Sequence, residues 1–275
     1  MKNPKLSIVI GSFNRCKLLE LCIESVRTEL ANESYEIIVV DGGSTDGALE
    51  WLSVQKDIIT IVQHNRGEWR GKKITRKPWA YFMNLAFKCA SGKYICMLSD
   101  DSLIMPGAIK NGLNLFDKML NHGVKLGGVA FYFRDYPVRK HFAVAVNVGN
   151  LYVNHGLFLK AAMEEVCYCD ENYYFYFADT DLALKIKAAG YKIVSSKSSF
   201  VEHYFEATPE IRASNNDDRK EKDRIRLIEK WAGIAYPEAD KEKYVKVVGY
   251  WQVHPCATTD ETPQIKQLMT ASQLH

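Results

Sequence analysis

The sequence predicts an α/β protein built on a mostly parallel β-sheet with helices on both faces. In the first hundred residues, short and continuously apolar runs alternate with segments whose apolar residues recur at helical spacing. Strands buried on both faces of a parallel sheet show such continuous runs rather than polar alternation. Polar residues directly follow several runs, at the strand ends where ligands bind in these sheets. With 275 residues, 47% of them hydrophobic, the chain can form one large domain.

The order of the elements follows from these patterns. Apolar runs predict strands at 6–13, 35–42, 58–64 and 94–100, and helical spacing predicts helices at 15–30, 45–54 and 78–90. The second half is less regular. There we expect strands at 125–136 and 141–153, helices at 156–168 and 179–190, one or two strands up to residue 204, and a charged helix at 214–231.

Composition excludes several classes of protein. The net charge of +3 gives no global signal for nucleic acid, and we expect no nucleic-acid partner. The seven cysteines lie mostly in apolar segments, which favours reduced thiols in the cytosol over a disulfide framework. The apolar runs are too short for a signal peptide or a membrane span, so we expect a soluble protein, at most peripheral to a membrane.

Two adjacent carboxylates, Asp100 and Asp101, end the apolar strand at 94–98. Charges about 5 Å apart repel by roughly 3 kcal/mol at an effective dielectric constant near 20, so the pair must be solvated or neutralised by a cation. Polar residues also follow the first two strands: Ser12, Asn14 and Asp41. Turn chemistry explains each position alone. Together, the three strand ends favour a metal and phosphate site in one crevice.

Four segments carry a resemblance to a known family, and they occur in this order: SIVIGSFNR, EIIVVDGGSTDGALEWL, NLAFKCASGKYICMLSDDSLIMPGAI and YFYFADTDLALKIKAAGYKI. Together they resemble the family-two glycosyltransferases, whose nucleotide-diphospho-sugar transferase fold is called GT-A. The resemblance covers about residues 5 to 205. It implies a GT-A domain at 1–212, with a nucleotide-binding half at 1–104 and an acceptor half at 105–212, followed by a small helical extension at 213–275.

The resemblance implies a metal-dependent, inverting glycosyltransferase of the hexosyltransferase type. It would move a sugar from a nucleotide-diphosphate donor, with a UDP-sugar favoured, to a saccharide or lipid-linked acceptor in cell-surface polysaccharide or glycan synthesis. The acids at the strand end match the family's DxD motif, so Asp101, joined by His203, would bind Mn²⁺ or Mg²⁺, and Asp179 would be the general base. The implied donor-binding residues are Ser12, Asn14, Asp41, Arg76, Asn84 and Asp100.

Structural interpretations compete with several of these roles. Asp41 suits an Asx-turn, and for Asp46 we prefer a turn or helix cap outright. Asp179 is also a candidate N-cap, and a single histidine such as His203 at a strand end is more often structural. The sequence departs from the family pattern at Ser99, Met83 and Ala178, where acids or an arginine are usual. A basic loop at 66–77 could supply the positive charge that Met83 lacks.

Three other functions are alternatives. A sugar nucleotidyltransferase shares this kind of sheet but would show a basic, glycine-rich loop after the first strand, which GSFNRCKLLE is not. A dinucleotide oxidoreductase would carry G-x-G-x-x-G after a strand. A non-catalytic sugar-nucleotide binding protein is consistent with Ser99 and Ala178. The family resemblance also allows a homodimer and attachment to the inner face of the membrane.

Overall fold

The computed structural model describes residues 4–65, 67–204, 217–246 and 250–252. The strands are β1 (Leu6–Ser12), β2 (Tyr35–Asp41), β3 (Ile58–Val62), β4 (Glu68–Trp69), β5 (Lys72–Lys73), β6 (Tyr94–Ser99), β7 (Ser102–Ile104), β8 (Leu126–Asp135), β9 (Val144–Asn147), β10 (Asn150–Leu151), β11 (Gly156–Leu159), β12 (Lys192–His203) and β13 (Tyr250–Gln252). The helices are α1 (Cys16–Glu29), α2 (Ala48–Ser53), α3 (Trp79–Cys89), α4 (Ala108–Asn121), α5 (Lys160–Glu165), α6 (Ala178–Ala188), α7 (Asp217–Trp231) and α8 (Lys241–Lys246), with a 3₁₀ turn at Glu238–Asp240.

An eight-stranded mixed sheet forms the centre, in the order β3-β2-β1-β6-β11-β8-β12-β7. Strands β3, β2, β1 and β6 are parallel, as the apolar runs predict. Strand β11 runs antiparallel to both of its neighbours, and β12 returns parallel to β8. Two small sheets, β10-β9-β13 and β4-β5, lie outside this arrangement.

Two apolar layers cover the sheet. One contains α1 and α4, with Leu19, Ile23 and Phe116 fully buried against the strands. The other contains α3, α6 and α7, which contribute residues such as Phe87 and Leu182 to a second core cluster. Continuous burial along β1, β2 and β6 is therefore explained by helices on both faces.

The register of the parallel strands aligns their carboxyl ends. Ser12, the last residue of β1, pairs with Asp41 at the end of β2, and Gly11 pairs with Ser99 at the end of β6. The polar residues that follow these strands consequently meet at one edge of the sheet, as the sequence predicts. This edge is the carboxyl edge of the sheet.

The second half differs from the sequence prediction in two places. Residues 156–159 form strand β11, where the sequence predicted the start of a helix, and the helix α5 begins only at Lys160. The single strand expected at 141–153 is a hairpin of β9 and β10. Strand β12 is one continuous strand whose pairing with β8 shifts register between Ser196 and Phe200.

Several global expectations meet the structure only in part. The six cysteines that the structure describes are all free, whereas Cys256 lies outside the described residues. Within the described part of the chain, no helix is both long and apolar enough to cross a membrane. The predicted domain boundary at residue 212 also falls outside the described residues. The charged helix expected at 214–231 is present as α7, which packs into the same core as α6.

Candidate active site

The loop after β2 is organised by Asp41, which is fully buried. Its Oδ1 accepts hydrogen bonds from the backbone N–H groups of Gly43 and Ser44 at 2.8 and 2.7 Å, and its Oδ2 accepts one from the Ser44 hydroxyl at 2.7 Å. This is the Asx-type turn that the sequence allowed. The predicted contact between Asp41 and a donor base stays a prediction.

The loop after β1 is tied to the loop after β2 through Asn14 and Asp46. Asn14 has a left-handed backbone with φ of 50°, donates its N–H to Ser44 Oγ at 2.8 Å and accepts from Thr45 N at 2.8 Å. Asp46 accepts from Cys16 N at 2.7 Å, at the start of α1. Its Oδ1 also accepts from Ala48 N at 3.3 Å, which confirms the preferred turn role of Asp46. The N-caps of α1 and α2 are Arg15 and Gly47, and the bond from Cys16 N holds the two loops side by side.

Arg15 neutralises the two acids that end β6. Its Nη1 donates to Asp100 Oδ1 at 2.9 Å and to Asp101 Oδ2 at 2.7 Å. Both carboxylates are only 3% exposed, so they are not solvated. The guanidinium answers the repulsion problem posed by the sequence, since a cation does lie between the two charges. Ser12, buried beside them, lies at the end of β1.

His203 approaches Asp101 because β12 ends beside β7. In the sheet His203 pairs with Ser102 of β7 and with Asp135 of β8. Its Nδ1 lies 2.9 Å from Asp135 Oδ1, which aims Nε2 at Asp101 Oδ1, 3.3 Å away. Ser99, which departs from the family pattern, donates its hydroxyl to the same Asp101 oxygen. Ser99 therefore supports the orientation of Asp101.

Burial and charge set the protonation of this cluster. Burial raises the pKa of Asp100 to about 6, against the opposing charge of Arg15. Burial also acts to raise the pKa of Asp101, but the charge and hydrogen bond of His203, the charge of Arg15 and the hydrogen bond of Ser99 outweigh it and hold that pKa well below its usual range. Burial would lower the pKa of His203, yet Asp101 and Asp135 raise it to about 9. At neutral pH the imidazole is therefore protonated.

In this structure the protonated Nε2 of His203 faces Asp101 Oδ1 at 3.3 Å as an ion pair, so a divalent cation held by both residues would replace that proton. A carboxylate and an imidazole are ligand types that suit Mn²⁺. Among the described residues, no group of three or more His, Cys, Asp or Glu side chains is suited to hold a metal. Mg²⁺ and similar ions complete such sites with substrate phosphates and water.

Asp179 lies in the first turn of α6 and is half-buried. The sequence suggested Asp179 as the N-cap, but the N-cap is Phe177, whose backbone is left-handed with φ of 66°. The Asp179 carboxylate instead accepts from Thr180 N at 2.7 Å. Burial raises the pKa of Asp179 to about 6, with hydrogen bonds from Thr180 and its own backbone opposing the rise.

Asn84 lies in α3, and Arg76 precedes this helix. The buried Asn84 donates to Cys169 O and accepts from Cys169 N, both at 3.0 Å, and also donates to Glu171 Oε1. No hydrogen bond or ion pair in the described part of the chain joins Asn84 or Asp179 to the two acids that end β6. Arg76 is half-buried shortly before α3. Donor contacts by Asn84 and Arg76 stay predictions.

Sequence reasoning missed three residues of the cluster: Arg15, Asp135 and His155. Arg15 directly follows the polar pair after β1, and Asp135 ends β8 as Asp41 ends β2, so a strand-end pattern could have found both. The buried His155 lies 2.9 Å through Nε2 from Ser102 Oγ, with its ring 5.2 Å from that of His203. Burial and the His203 charge lower the pKa of His155 to about 3.

The mixed sheet and its flanking helices define a protein of the GT-A fold, and comparison with known families identifies it further. The model of Glycosyl transferase family 2 matches residues 7–144, about half of the chain. The chain therefore belongs to glycosyl transferase family 2. The residues matched include Arg15, Asp41 and the two acids that end β6, whereas Asp179 and α7 lie beyond them.

One curated relative and two solved structures illustrate the likeness. The poly(ribitol-phosphate) beta-glucosyltransferase of Bacillus spizizenii is 33% identical over 129 residues, 45% of this chain and 19% of that protein. Curated relatives are matched over between 10% and 38% of their own lengths, so the chain spans only part of them.

The solved structures share the fold at low sequence identity. The mannosyltransferase of Pyrobaculum calidifontis in complex with GDP-Man and Mn²⁺ has a TM-score of 0.59 and 18% identity, covering 88% of this chain and 68% of that one. S. aureus TarS 1-349 in complex with UDP-GlcNAc has a TM-score of 0.57 and 16% identity, covering 88% and 70%. At these identities the likeness establishes the GT-A fold.

Proposed function

We propose that the protein is a metal-dependent, inverting glycosyltransferase that transfers one sugar from a nucleotide-diphosphate donor to a hydroxyl of a saccharide or lipid-linked acceptor. A UDP-sugar is the proposed donor, since TarS binds UDP-GlcNAc. Synthesis of a surface polysaccharide or glycan is the proposed setting, in line with the names of relatives such as the poly(ribitol-phosphate) glucosyltransferase. Dimer formation and attachment to a membrane surface stay predictions.

One observation carries the proposal: the convergence of Arg15, Asp100, Asp101 and His203 at the carboxyl edge of the sheet. Burial of an acid pair with two cations carries a desolvation cost, which a loop that only ends a strand does not require. It is suited to a site that exchanges charged groups with a ligand. The neighbour that holds GDP-Man and Mn²⁺ shows that this fold accepts both ligands together.

On the donor side, Asp101 and His203 would hold Mn²⁺ or Mg²⁺, which neutralises charge on the departing diphosphate. Asp100 is proposed to contact the ribose and Asp41 the base. The remaining proposed donor contacts are Ser12, Asn14, Arg76 and Asn84. Arg15 is placed to pair with a phosphate oxygen once its carboxylate partners turn to the donor, because guanidinium groups bind phosphate with directed hydrogen bonds.

On the acceptor side, Asp179 takes the proton from the acceptor hydroxyl. The hydroxyl oxygen forms a bond to the anomeric carbon while the bond from that carbon to the phosphate oxygen breaks on the opposite face, which inverts the configuration. The electron pair leaves with the nucleotide diphosphate, and Asp179 releases its proton to solvent. A carboxylate whose pKa is about 6 is a stronger base than an ordinary aspartate and is still ionised at neutral pH.

The first test is a thermal unfolding series with UDP, GDP, dTDP and CMP, each with Mn²⁺ or with EDTA. A ligand at one hundred times its Kd stabilises the native state by about 2.7 kcal/mol, which raises Tm by about 5 °C or more for a chain of this size. We expect UDP with Mn²⁺ to raise Tm, and Asp101→Asn to abolish the metal-dependent part. Asp57→Asn, in an exposed ion pair with Arg27, is the matched control.

The second test measures release of UDP from UDP-sugars in the wild type and in Asp179→Asn. The variant should bind UDP and Mn²⁺ normally and lose turnover. Full turnover by Asp179→Asn would remove Asp179 from the mechanism. Nucleotide binding with no turnover by the wild type on a broad acceptor panel would favour a binding protein, and no nucleotide binding at all would overturn the transferase proposal.

A further inference from the structure

Helix α7 contacts the chain on both sides of Asp179, although it lies outside the residues that match the family model. We infer that α7 positions the candidate base, with Asp223, Lys230 and Trp231 as positioning residues. The inference rests on the proposed function of Asp179 and adds a second element to it. It makes the helix after the GT-A domain part of the machinery for transfer rather than an appendage.

The first contact is a set of hydrogen bonds from the loop before Asp179 to Asp223 of α7. Asp223, which is buried, accepts three consecutive backbone N–H groups: Tyr174 N at 2.8 Å on Oδ1, and Phe175 N and Tyr176 N at 2.9 and 3.0 Å on Oδ2. Hydrogen bonds to an ionised acceptor are roughly twice as strong as neutral ones. Three successive N–H groups can converge on one carboxylate only in a curled backbone, so Asp223 specifies the shape of this loop.

The second contact joins α7 to Asp181 of α6, two residues after Asp179. The carboxylate of Asp181 is fully buried, and it accepts from Trp231 Nε1 at 2.8 Å and from Lys230 Nζ at 3.0 Å. Lys230 also donates to Asp170 at 2.8 Å, which ties the same point to the preceding loop. A buried carboxylate needs such partners, because an unpaired charge in the interior is strongly disfavoured. The position of α6 is therefore coupled to that of α7.

Between the two contacts the backbone makes a constrained turn. Phe177 is in the left-handed region with φ of 66°, which a bulky aromatic residue adopts only when its surroundings impose it. From the opposite side, Trp79 N donates to Tyr174 O at 3.1 Å. Because the turn is fixed at residues 174–176 and at Asp181, the Asp179 side chain projects from α6 in one direction. Release of either contact frees the carboxylate to move.

Apolar packing explains why α7 stays in place. Leu227, Ile228 and Trp231 are buried in the same core cluster as Leu182 and Ala183 of α6. The polar contacts and the apolar packing lie on one side of α7. Conservative changes to the polar groups can therefore weaken the hydrogen bonds to the loop and to α6 while the apolar packing keeps the helix in place. The inference can therefore be tested in folded protein.

The experiment compares Asp223→Asn and Trp231→Phe with the wild type. The first replaces one acceptor oxygen by an amide, and the second removes only the indole N–H. We expect kcat to fall by tenfold or more in each, with the Kd for UDP and Mn²⁺ unchanged within twofold, and the pH midpoint of kcat to shift from about 6. Amide hydrogen exchange at residues 174–176 should accelerate by tenfold or more in Asp223→Asn, whether or not an acceptor is found.

The matched control is Glu29→Gln. Glu29 is a buried carboxylate at the end of α1 that accepts from Gly107 N at 2.7 Å and Lys110 N at 3.1 Å, the same kind of grip on a distant loop. It should lower thermal stability and leave kcat and its pH profile alone.

Each result points to one conclusion. If both α7 variants keep the kcat and pH profile of Glu29→Gln while Asp179→Asn is inactive, the positioning inference is wrong and the proposed function survives. If Asp179→Asn is itself fully active, the proposed base is wrong and the inference falls with it. Unchanged hydrogen exchange at residues 174–176 in Asp223→Asn would also overturn the inference, independently of turnover.

Discussion

Replacement of Asp179 by Asn should stabilise the protein while it abolishes transfer. Burial raises the pKa of Asp179 to about 6 from an ordinary value of 3.8, so the folded protein holds this carboxylate in an environment that disfavours its charge. Asparagine has nearly the same shape, can still accept from Thr180 N and carries no charge. The variant therefore removes the electrostatic cost of a base that catalysis requires.

The magnitude follows from the linkage between protonation and folding. A pKa that is higher in the folded than in the unfolded state lowers stability by about 1.4 kcal/mol for each unit of difference once both states are ionised. For Asp179 this amounts to at most about 3 kcal/mol above pH 6, and partial exposure reduces it. Below about pH 4 both states are protonated and the cost vanishes. Between about pH 4 and 6 the wild type therefore loses up to this amount of stability relative to Asp179→Asn, which lacks the titrating carboxylate.

Urea unfolding of both proteins at about pH 4, 5 and 8 measures this difference. We expect equal midpoints at the lowest pH and a higher midpoint for the variant at the highest. Asp181→Asn, in the same turn of the same helix, is the control of opposite sign. Its carboxylate is paired with Lys230 and Trp231, so the change should destabilise the protein.

A variant that is no more stable than the wild type at about pH 8 would refute the reasoning. It would mean that the Asp179 carboxylate is solvated or paired with a cation and is not held in a disfavoured ionised form. A stability difference that does not depend on pH would also refute it, because the difference would then come from packing. In either case the pH dependence of turnover would need another titrating group.

Three further predictions concern the rest of the molecule. Arg15→Gln in EDTA should lower the free energy of unfolding by about 3–5 kcal/mol, because it leaves two buried acids unpaired. The loss should be larger at pH 8 than at pH 6, where Asp100 takes up a proton, and equal losses in urea unfolding at both pH values would contradict this. Glu202→Gln should cost a similar amount at neutral pH, since it leaves the buried Arg134 guanidinium without its carboxylate; an unchanged denaturation midpoint would show that water reaches the pair. Gly112→Ala should lower Tm, because the added Cβ would lie 2.5 Å from a Phe131 ring carbon and overpacking costs about 1–3 kcal/mol. A higher Tm would mean that the helix propensity of alanine outweighs the clash.

The first hundred residues were readable from the sequence because their signals are local. Each apolar run at 6–13, 35–42 and 94–100 became a parallel strand, and the acids that follow them met at one edge of the sheet. Burial on both faces of a parallel sheet is what the composition of each run already encodes. Local turn chemistry likewise predicted the turn that Asp46 makes with Ala48 N.

The second half was harder to predict because its signals depend on partners distant in sequence. Residues 156–159 are apolar and fit a helix or a strand, and only the gap between β6 and β8 makes them a strand. The donor contact of Asn84 stays a prediction, but its hydrogen bonds to the backbone of Cys169, eighty-five residues away, have no local signal in the sequence. The contact of Arg15 with the acid pair likewise joins residues eighty-five positions apart, and no local pattern predicts it.

The charges around Asp101 indicate how donor and metal should bind. Asp100, Asp101 and Asp135 face the positive charges of Arg15 and protonated His203, so the cluster is already close to neutral. A divalent cation alone would add charge beside Arg15 and must also displace the proton of His203. A nucleotide diphosphate brings the negative charge that both Arg15 and the cation need. Mn²⁺ and nucleotide should therefore bind together, and each should bind much more weakly without the other. A large Tm increase with Mn²⁺ alone would show that the positive charge of Arg15 does not oppose binding of the cation.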